Sequence, residues 1–334
     1  MTTRSKPKVS VSMATRNYGL YIEEAIQSVL QQNDPDWELI IVDDDSNDDT
    51  PKRIYPYLRD ARIRYFRSSR LGVSRAKNLA IHLAKADRIA FLDADDRWLP
   101  DKLEKQNRLL DQQPNIAMVF TDRYLIDPEG KRLQRLVPDR QIADRYSFEQ
   151  ILIQNPICFS SVMIRRSILE HLGGFCPDLE KAVDYELWLR LARYYDIVCL
   201  EESLVEYRTG HANLSARVDD RLLIVLSVLR KSLTLWGNRR WVDRDIENRA
   251  WSSTYRSLGF ALREKSPYRA LSHYLQAWRY DFNHCLTLRS LLALAWVQCR
   301  SYTWYYLTKA IQRLPKPVKN YLPSKFTKQA VVYT

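Results

Sequence analysis

Apolar residues in the first third of the chain follow two alternating periods, one typical of strands and one typical of helices. In "KVSVSMAT", Val9, Val11 and Met13 alternate with small polar residues, which predicts a β-strand. In the next segment, "YIEEAIQSVLQQ", apolar residues recur every three or four positions, which predicts an amphipathic helix. The chain therefore opens with a strand followed by a helix.

The same alternation continues to about residue 122. Apolar runs that end in polar residues predict further strands at "WELIIVDDDS", "RIRYFRSS", "RIAFLDADD" and "IAMVFTD". Helices are predicted for "GVSRAKNLAIHLAKA" and for a segment from Trp98 to Leu110. Strands that alternate with helices form βαβ crossovers, so we predict an α/β domain with a mainly parallel sheet flanked by helices. Ligands of such sheets bind beyond the carboxyl ends of the strands.

The second half of the chain has a different pattern. It is irregular from about residue 122 to 165, becomes strand-like in "SSVMIRR", and then predicts a helix that begins at Asp184 in "DYELWLRLARYY". Beyond residue 216 the pattern is helical throughout, with candidate helices at 218–236, 242–264, 267–281 and 286–312. We predict an α/β domain over 1–215 with halves of about 7–122 and 123–215, a basic α-helical region over 216–314, and a flexible basic tail over 315–334.

The net charge of +12 is distributed unevenly along the chain. Residues 216–334 hold 21 Lys and Arg but only 7 Asp and Glu, whereas residues 1–215 are near neutral. This asymmetry favours contact of the C-terminal region with a polyanionic partner. Because aromatic residues alternate with Lys and Arg there, we consider attachment to an anionic membrane surface beside a plain helical packing region.

The cysteines and the hydrophobic segments indicate in which cellular compartment the protein is expected. The five cysteines are scattered without CxxC spacing, which indicates neither a disulfide framework nor a zinc site and fits a reducing compartment. The N-terminus lacks an apolar signal core, and no stretch reaches the roughly 18 apolar residues of a membrane span. We expect a cytoplasmic protein that can be peripheral on the inner face of the membrane.

Acidic residues follow two of the predicted strands. The run "RIAFLDADD" places Asp93, Asp95 and Asp96 directly after a buried strand. Like charges so close together repel, and hard divalent cations take oxygen ligands from carboxylates, so this D-x-D pattern favours Mg²⁺ or Mn²⁺ held on a nucleotide. The alternative is a solvated turn in which Asp95 or Asp96 caps the next helix.

The second acidic segment is "IIVDDDSNDDT". Asp48 or Asp49 can simply start a helix before Pro51. Asp43 and Asp44 are placed where the ligand crevice of the sheet is expected, and a carboxylate there can accept a hydrogen bond from a base N–H or a ribose hydroxyl. Two acidic strand ends in one sheet predict one shared site.

At this point the sequence resembles a family 2 inverting glycosyltransferase with the GT-A (nucleotide-diphospho-sugar transferase) fold. The resemblance covers roughly residues 7 to 215, and five segments carry it in order: "VSVSMATRNYGLYIEEAIQSVLQQ", "WELIIVDDDSNDDT", "GVSRAKNLAI", "FLDADDRWLPDKLEKQ" and "GGFCPDLEKAVDYELWLRLA". Any single segment is weak, whereas five at family-like spacing are specific. The resemblance implies an α/β GT-A domain followed by an α-helical C-terminal region.

Residues with nucleotide-sugar-binding roles are implied by the same resemblance. Ala14 and Thr15 match the loop that touches the nucleobase, and Asp44, with Asp43 beside it, matches the carboxylate that binds the uracil ring. Arg75 matches a basic residue near the base and diphosphate. Asp93 resembles the ribose-facing member of the D-x-D motif.

The resemblance also implies a metal set and a general base. Asp95 resembles the metal-facing member of D-x-D, and Asp96 and Asp93 are candidates to share that role. His211, in "YRTGHANLS", resembles a late histidine near the diphosphate, at a spacing one residue longer than expected. Asp184 matches the general base, which can instead be an ordinary helix N-cap.

Three positions depart from the family pattern. Ala14 replaces a common proline, Asp45 replaces a glycine where left-handed backbone is expected, and Val183 replaces the glutamate before the base. Asp tolerates left-handed geometry moderately well. The change at Val183 removes a carboxylate but leaves Asp184 in place.

The implied activity is transfer of a sugar from a nucleotide sugar, with UDP favoured, to a saccharide or lipid-linked hydroxyl acceptor in cell-surface polysaccharide or glycolipid synthesis. Mn²⁺ or Mg²⁺ is the implied cofactor. A nucleotidylyltransferase would need a Gly-rich basic loop near the first strand, and "MATRNYGLY" has one glycine and one arginine. Two further hypotheses are a catalytically inactive relative and a nucleic-acid-binding protein that uses the basic tail. The acidic sheet edge argues against nucleic acid.

Overall fold

The computed structural model describes residues 6–133, 145–211, 218–236 and 242–281. The first strands pair in parallel, with β1 between β2 and β4 and with β3 outside β2. They are β1 Val9–Thr15, β2 Trp37–Asp44, β3 Ile63–Ser68 and β4 Arg88–Phe91. The helices among them are α1 Ile22–Leu30, α2 Thr50–Ile54 and α3 Val73–Leu83. The parallel α/β pattern predicted for this half is confirmed.

Burial explains why these strands lie in the centre of the domain. Every residue of β2 is buried, and in β1 only Ala14 is partly exposed. The small polar residues that alternate along β1 are therefore buried too, and Ser10 donates a hydrogen bond of 2.7 Å to Glu38 in β2. A sheet that is covered on both faces buries both sides of its strands.

The rest of the sheet is mixed. Strand β8 pairs antiparallel with both β4 and β6, β6 runs parallel to β9, and β5 and β7 pair antiparallel with β9. In the described residues one nine-stranded sheet results. The remaining strands are β5 Arg97–Trp98, β6 Ile116–Ile126, β7 Arg145–Tyr146, β8 Met163–Arg165 and β9 Asp196–Arg208.

The helix predicted from Trp98 begins later. Helix α4 spans Lys102–Gln112, because Arg97 and Trp98 form β5 against β9 and Pro100 lies between the two elements. A residue before proline is disfavoured in helical geometry, so the helix starts after it. The other helices of this half are α5 Phe148–Ile153, α6 Arg166–Leu172 and α7 Val183–Ala192.

Three helices predicted in the C-terminal half are confirmed. They are α8 Val218–Trp236, α9 Arg244–Leu262 and α10 Pro267–Tyr280. The chain divides into two compact units, Met1–Glu247 and Asn248–Thr334, so α8 belongs to the first unit, beyond the boundary predicted near 215. The predicted helix at 286–312 and the predicted tail at 315–334 lie outside the described residues. No helix among the described residues is long and apolar enough to cross a bilayer.

Candidate active site

The carboxyl ends of three parallel strands meet at one edge of the sheet. Thr15, the last residue of β1, pairs with Asp43 in β2, and on the other side of β1 Ser12 pairs with Phe91 at the end of β4. Because the strands are parallel, the acids after β2 and those after β4 are directed to the same edge. The two acidic segments found in the sequence therefore flank β1.

The two aspartates at the end of β2 have different partners. Asp43 is fully buried and accepts hydrogen bonds from Tyr65 and from the backbone N–H of Ser46, so it holds the loop after β2. Asp44 accepts from the N–H groups of Leu71 and Gly72, at 2.5 and 2.9 Å, and also from a serine hydroxyl in β3. Asp44 thus fixes the segment that leads into α3 at the rim of the site.

The loop after β1 is locked to the loop after β2. Successive N–H groups of Asn17, Tyr18 and Gly19 donate to the side chains of Ser46, Thr50 and Asp48, at 2.9, 2.9 and 3.0 Å. Ala14 and Thr15 directly precede this loop, and the Thr15 hydroxyl is buried without a hydrogen-bond partner among the described residues. The predicted nucleobase loop therefore has a fixed position beside Asp44.

Asp45 adopts the left-handed backbone geometry expected at this position. Its φ is +64°, and its half-exposed side chain lies 3.4 Å from Arg67 Nη2. The guanidinium offsets part of the negative charge that this aspartate adds in place of glycine. Asp can occupy this position because it is among the few residues that visit the left-handed region.

The loop after β4 brings together Asp93, Asp95 and Asp96. Asp93 Oδ1 forms an ion pair of 2.9 Å with Lys77 Nζ, and Asp95 Oδ2 lies 2.8 Å from His211 Nε2. Many protein atoms surround Asp93 although 35% of its side chain is exposed, and desolvation raises its pKa, an effect that Lys77 opposes. His211 therefore lies beside the D-x-D motif in the folded chain.

Asp96, a candidate to share the metal role, is more buried than Asp95. Its two oxygens accept hydrogen bonds from the Arg208 N–H and the Ser160 hydroxyl, and only 1% of the residue is exposed. Burial and the neighbouring carboxylates Asp95 and Asp93 raise its pKa well above the usual range. Both oxygens of Asp96 therefore hold the loop after β4 from inside the protein.

His211 is enclosed by aromatic rings. Its ring packs edge-on against Tyr21 at 4.9 Å and against Tyr18 at 6.5 Å between centroids. Its side chain is 8% exposed, and Nδ1 is buried without a hydrogen-bond partner among the described residues. The pKa of Tyr18 is raised by burial and then by the nearby acids, Asp95 first. The imidazole is thus held against Asp95 by packing.

Arg208 supports this loop from the opposite side, and sequence reasoning did not single it out. The side chain is fully buried, and its guanidinium donates to Asp95 O, to Pro128 O and to the carboxylate of Glu24, at 2.8, 2.8 and 2.7 Å. It also lies over the ring of Tyr21. The only signal in the sequence was its place three residues before His211, at the end of a strand that was not predicted.

Asp184 is the second residue of α7 and not its N-cap. The N-cap is Ala182, which has a left-handed φ of +52° and no side-chain capping bond. Burial raises the pKa of Asp184, while the Tyr185 N–H and the charges of Lys77 and Arg221 lower it. Asp184 also raises the pKa of Asp93, so the two carboxylates are within electrostatic range of each other.

Lys77 and Arg75, two basic residues of the same motif, have different surroundings. Lys77 is buried, contacts Asp93, and lies 3.3 Å from the centroid of the Phe159 ring. Arg75 is 56% exposed and lies 3.7 Å from Asp178, which is itself 84% exposed. Both residues belong to "GVSRAKN", and helical spacing turns them to different sides of α3.

A divalent cation fits part of this arrangement. Asp95 and His211 place a carboxylate and an imidazole nitrogen side by side, with Asp95 Oδ2 2.8 Å from His211 Nε2. In the part of the chain that the structure describes, no group of three or more His, Cys, Asp or Glu side chains could hold a metal ion. The donor set therefore suits a cation that takes one or two protein ligands and fills its other positions from a bound phosphate.

Sequence comparison places this site in a known family. The sequence model described as Glycosyl transferase family 2 matches residues 10–173. An uncharacterized glycosyltransferase of Methanocaldococcus jannaschii is 32% identical over 244 residues, which cover 70% of this chain and 81% of that protein. The chain belongs to glycosyltransferase family 2. This family 2 enzyme is also 33% identical, over 218 residues, to TuaG of Bacillus subtilis, a protein named for teichuronic acid biosynthesis; the match covers 64% of this chain and 84% of TuaG.

Solved structures give the same fold for the family 2 enzyme. A structure of S. aureus TarS 1-349 in complex with UDP-GlcNAc aligns with a TM-score of 0.55 at 17% identity, covering 88% of this chain and 93% of that one. The mannosyltransferase PcManGT of Pyrobaculum calidifontis, solved with GDP-Man and Mn2+, aligns with a TM-score of 0.53 at 17% identity, covering 98% and 85%. The predicted GT-A fold is confirmed.

Proposed function

We propose that the enzyme transfers a sugar, with inversion at the anomeric carbon, from a nucleoside diphosphate sugar to a hydroxyl acceptor. The observation that supports the proposal is the pair of acidic strand ends at one edge of the sheet, with Lys77 bound to the acid that follows β4. Asp44 lies at the end of β2, Asp93 follows β4, and Asp184 lies within electrostatic range of Asp93. Lys77 forms an ion pair with Asp93 and lowers the pKa of Asp184, so its charge acts on both the proposed donor side and the proposed acceptor side.

We assign the donor to the sheet edge at the ends of β1, β2 and β4. Ala14, Thr15 and Asp44 would face the nucleobase, with Asp43 holding the loop behind them, and Asp93 would face the ribose. Arg75, whose side chain is 56% exposed, would lie at the outer edge of the donor site, near the base and diphosphate. UDP is favoured by the family resemblance, while the neighbours TarS and PcManGT bind UDP-GlcNAc and GDP-Man.

Asp184 is proposed as the general base. An ionised carboxylate near the start of a helix is favoured by the helix dipole, and burial raises its pKa, which makes it a stronger proton acceptor. It would remove the proton of the acceptor hydroxyl as that oxygen attacks the anomeric carbon and the nucleoside diphosphate departs on the opposite side. Single-displacement chemistry of this kind needs no nucleophile from the enzyme.

A divalent cation is proposed at Asp95 and His211. The donor set supports it, and the neighbour PcManGT was solved with Mn2+, so Mn²⁺ or Mg²⁺ is the expected ion. When bound, the ion would stabilise the negative charge that develops on the departing diphosphate. The chain's part is to hold both ligands in place, through Arg208 beneath the loop and the rings of Tyr18 and Tyr21 around the imidazole.

The acceptor is proposed to be a saccharide or lipid-linked hydroxyl in polysaccharide or glycolipid synthesis. TuaG supports this by its name, as does a chondroitin synthase of Escherichia coli that is 27% identical over 253 residues, although this chain spans only 36% of that protein.

We also propose that residues 216–334, with their excess of positive charge, hold the enzyme on an anionic membrane surface at the cytoplasmic face. Binding to anionic vesicles at low salt tests this, and a protein that stays fully in solution contradicts it.

A donor panel tests the proposed activity. The full-length protein is incubated with UDP-, GDP- and dTDP-sugars and Mn²⁺, and free nucleoside diphosphate is measured, with water taking the place of the unidentified acceptor. We expect release from one nucleotide class and a loss of about 10²–10⁴-fold in Asp184→Asn. Asp196→Asn, which changes an exposed aspartate of β9, is the matched control. No release from any donor, or equal release by Asp184→Asn, contradicts the proposal.

A further inference from the structure

Helix α3 contacts the segment that leads to the proposed base. This segment, residues 174–182, is called the base loop here and ends where α7 begins. On one side of α3, Asn78 and Ser74 bind the base loop. The spacing of these two residues, four positions apart, places them on one face of the helix.

Asn78 makes two hydrogen bonds to the backbone of one residue. Its Nδ2 donates to Phe175 O at 2.8 Å, and its Oδ1 accepts from the Phe175 N–H at 2.8 Å. Phe175 is fully buried, and its ring packs against Phe91 of β4 at 5.5 Å between centroids. The start of the base loop is therefore fixed in position by backbone contacts that do not depend on the loop's own side chains.

Gly174 shows how close this approach is. Its φ is +68°, a conformation that residues with a Cβ rarely adopt, and a Cβ added there would lie 2.5 Å from Asn78 Oδ1. The loop can reach Asn78 only because residue 174 has no side chain. The contact thus requires both the Asn78 amide on α3 and a glycine at position 174 of the base loop.

Ser74 holds the loop at a second point. Its hydroxyl donates to Leu179 O at 2.6 Å, and the side chain is almost completely buried. Leu179 lies five residues before Asp184. Two residues of one helix face thus fix the base loop both at its start and near the base.

The same helix is tied to the donor side. The N–H groups of Leu71 and Gly72, which lead into α3, donate to Asp44, and Lys77 pairs with Asp93. Helix α3 together with the two residues that precede it therefore contacts Asp44, Asp93 and the base loop. A shift of α3 on donor binding would be transmitted to the loop, because both sets of contacts are short hydrogen bonds or ion pairs.

We propose that Asn78 and Ser74 are positioning residues for Asp184, and that α3 couples nucleotide binding to the order of the base loop. This inference rests on the proposed function, because it takes the β2 and β4 ends as the nucleotide site and Asp184 as the base. Neither residue contacts the reacting atoms; both set where the base stands relative to the donor.

Hydrogen–deuterium exchange of the full-length protein tests this, with UDP or GDP plus Mn²⁺ as the probe. In the free protein, we expect Asn78→Ala to increase exchange in residues 174–182 and to leave β1 and β2 unchanged. With nucleotide, the wild type should gain protection both in residues 68–77 and in 174–182, and Asn78→Ala should gain it only in 68–77. His82→Ala, an exposed change on the last turn of α3, is the control. Ser74→Ala gives the second measurement if Asn78→Ala does not fold.

The kinetics of donor hydrolysis show whether Asn78 positions Asp184 or only stabilises the fold. Misplacement of a catalytic group by about 1 Å costs on the order of 10²-fold in rate, so kcat should fall by about 10- to 100-fold in Asn78→Ala while KM for the donor changes less than about twofold. Unchanged exchange in 174–182, or nucleotide protection of 68–77 alone in the wild type, overturns this inference and leaves the proposed function intact. Absence of nucleotide protection anywhere contradicts the proposed function itself.

Discussion

Lys77 Nζ lies 2.9 Å from Asp93 Oδ1, and the same positive charge lowers the pKa of Asp184. One buried ammonium therefore acts on both Asp93 and Asp184, the carboxylates proposed for the donor side and the acceptor side. Charges in a desolvated site interact more strongly than on the surface, so Lys77 limits the mutual repulsion of Asp93 and Asp184. Lys77 thereby opposes the rise in pKa that burial causes at both carboxylates.

Replacing Lys77 should change the pH dependence of the reaction. Asp184 must be ionised to act as a base, burial raises its pKa, and Lys77 opposes that rise. The rate should therefore increase with pH through the pKa of Asp184, and in Lys77→Met this increase should shift to higher pH. The measurement is nucleoside diphosphate release between pH 4 and 9. Lys77→Arg should keep the wild-type profile, and so should Lys85→Met, which changes an exposed residue just beyond α3. If the rise of the rate with pH is not shifted in Lys77→Met, the charge of Lys77 does not act on Asp184.

Asp96 should make the fold less stable as the pH rises. Its pKa is raised in the folded protein by burial and by Asp95 and Asp93, so its contribution is fully present below the unfolded pKa and is lost as the pH rises through the folded pKa. An Asn amide can still accept from the Arg208 N–H and donate to the Ser160 hydroxyl. We expect Asp96→Asn to have a higher Tm than the wild type at pH 8 in EDTA, and the difference to shrink towards pH 4. A difference that is constant across this range would refute the argument.

Gly19 should not tolerate even a methyl group. A Cβ there would lie 2.0 Å from Asp49 Oδ1 and 3.0 Å from the backbone N of Thr50. Because one of these atoms belongs to the backbone, we expect Gly19→Ala to lower the free energy of unfolding by about 1–3 kcal/mol. Chemical denaturation measures this, with Leu20→Ala as the neighbouring control, since Leu20 is 78% exposed and its loss should change stability by less than about 0.5 kcal/mol. Equal stability of the two variants would mean that the loop after β1 is not held tightly against the loop after β2.

Arg208 should matter for stability far more than a surface arginine of the same sheet region. Its removal leaves carbonyl groups without a donor and deprives Glu24 of one of its two cations, so Arg208→Met should cost about 3–5 kcal/mol. Arg132→Ala removes a side chain that is 47% exposed and leaves Glu206 paired with Arg97, so it should cost no more than about 1 kcal/mol. Thermal unfolding distinguishes the two. A loss below about 1 kcal/mol in Arg208→Met would contradict the structural role assigned here.

The first half of the fold could be predicted because its signals are local. Apolar periodicity predicted β1 to β4 with helices α1 and α3, and the acids at two strand ends predicted a shared edge. The left-handed backbone at Asp45 followed from the family pattern. Strand β9 was not predicted, because polar residues such as Glu201 and Glu202 interrupt its apolar pattern, and its pairing with β6, β5 and β7 is set by tertiary contacts.

The supporting residues of the site were harder to predict than the acids. Lys77 and Arg75 are two basic residues of one short motif, and only the rotation of α3 within the fold decides which of them faces Asp93. Asn78 and Arg208 act through partners far away in sequence, at Phe175 and at Glu24. Contacts of that kind leave no trace in periodicity, whereas an acid after a buried strand is visible without any partner.

The central claim is that the strand ends carrying Asp44 and Asp95 form one pocket for a cation-bound nucleoside diphosphate. Titration calorimetry of the full-length protein with UDP and GDP, with and without Mn²⁺, tests it most directly. We predict that one of the two nucleotides binds, that binding is at least about tenfold tighter with Mn²⁺, a difference of about 1.4 kcal/mol, and that Asp95→Asn removes this gain. Absence of binding by either nucleotide, or a Mn²⁺ effect that persists in Asp95→Asn, would contradict the account.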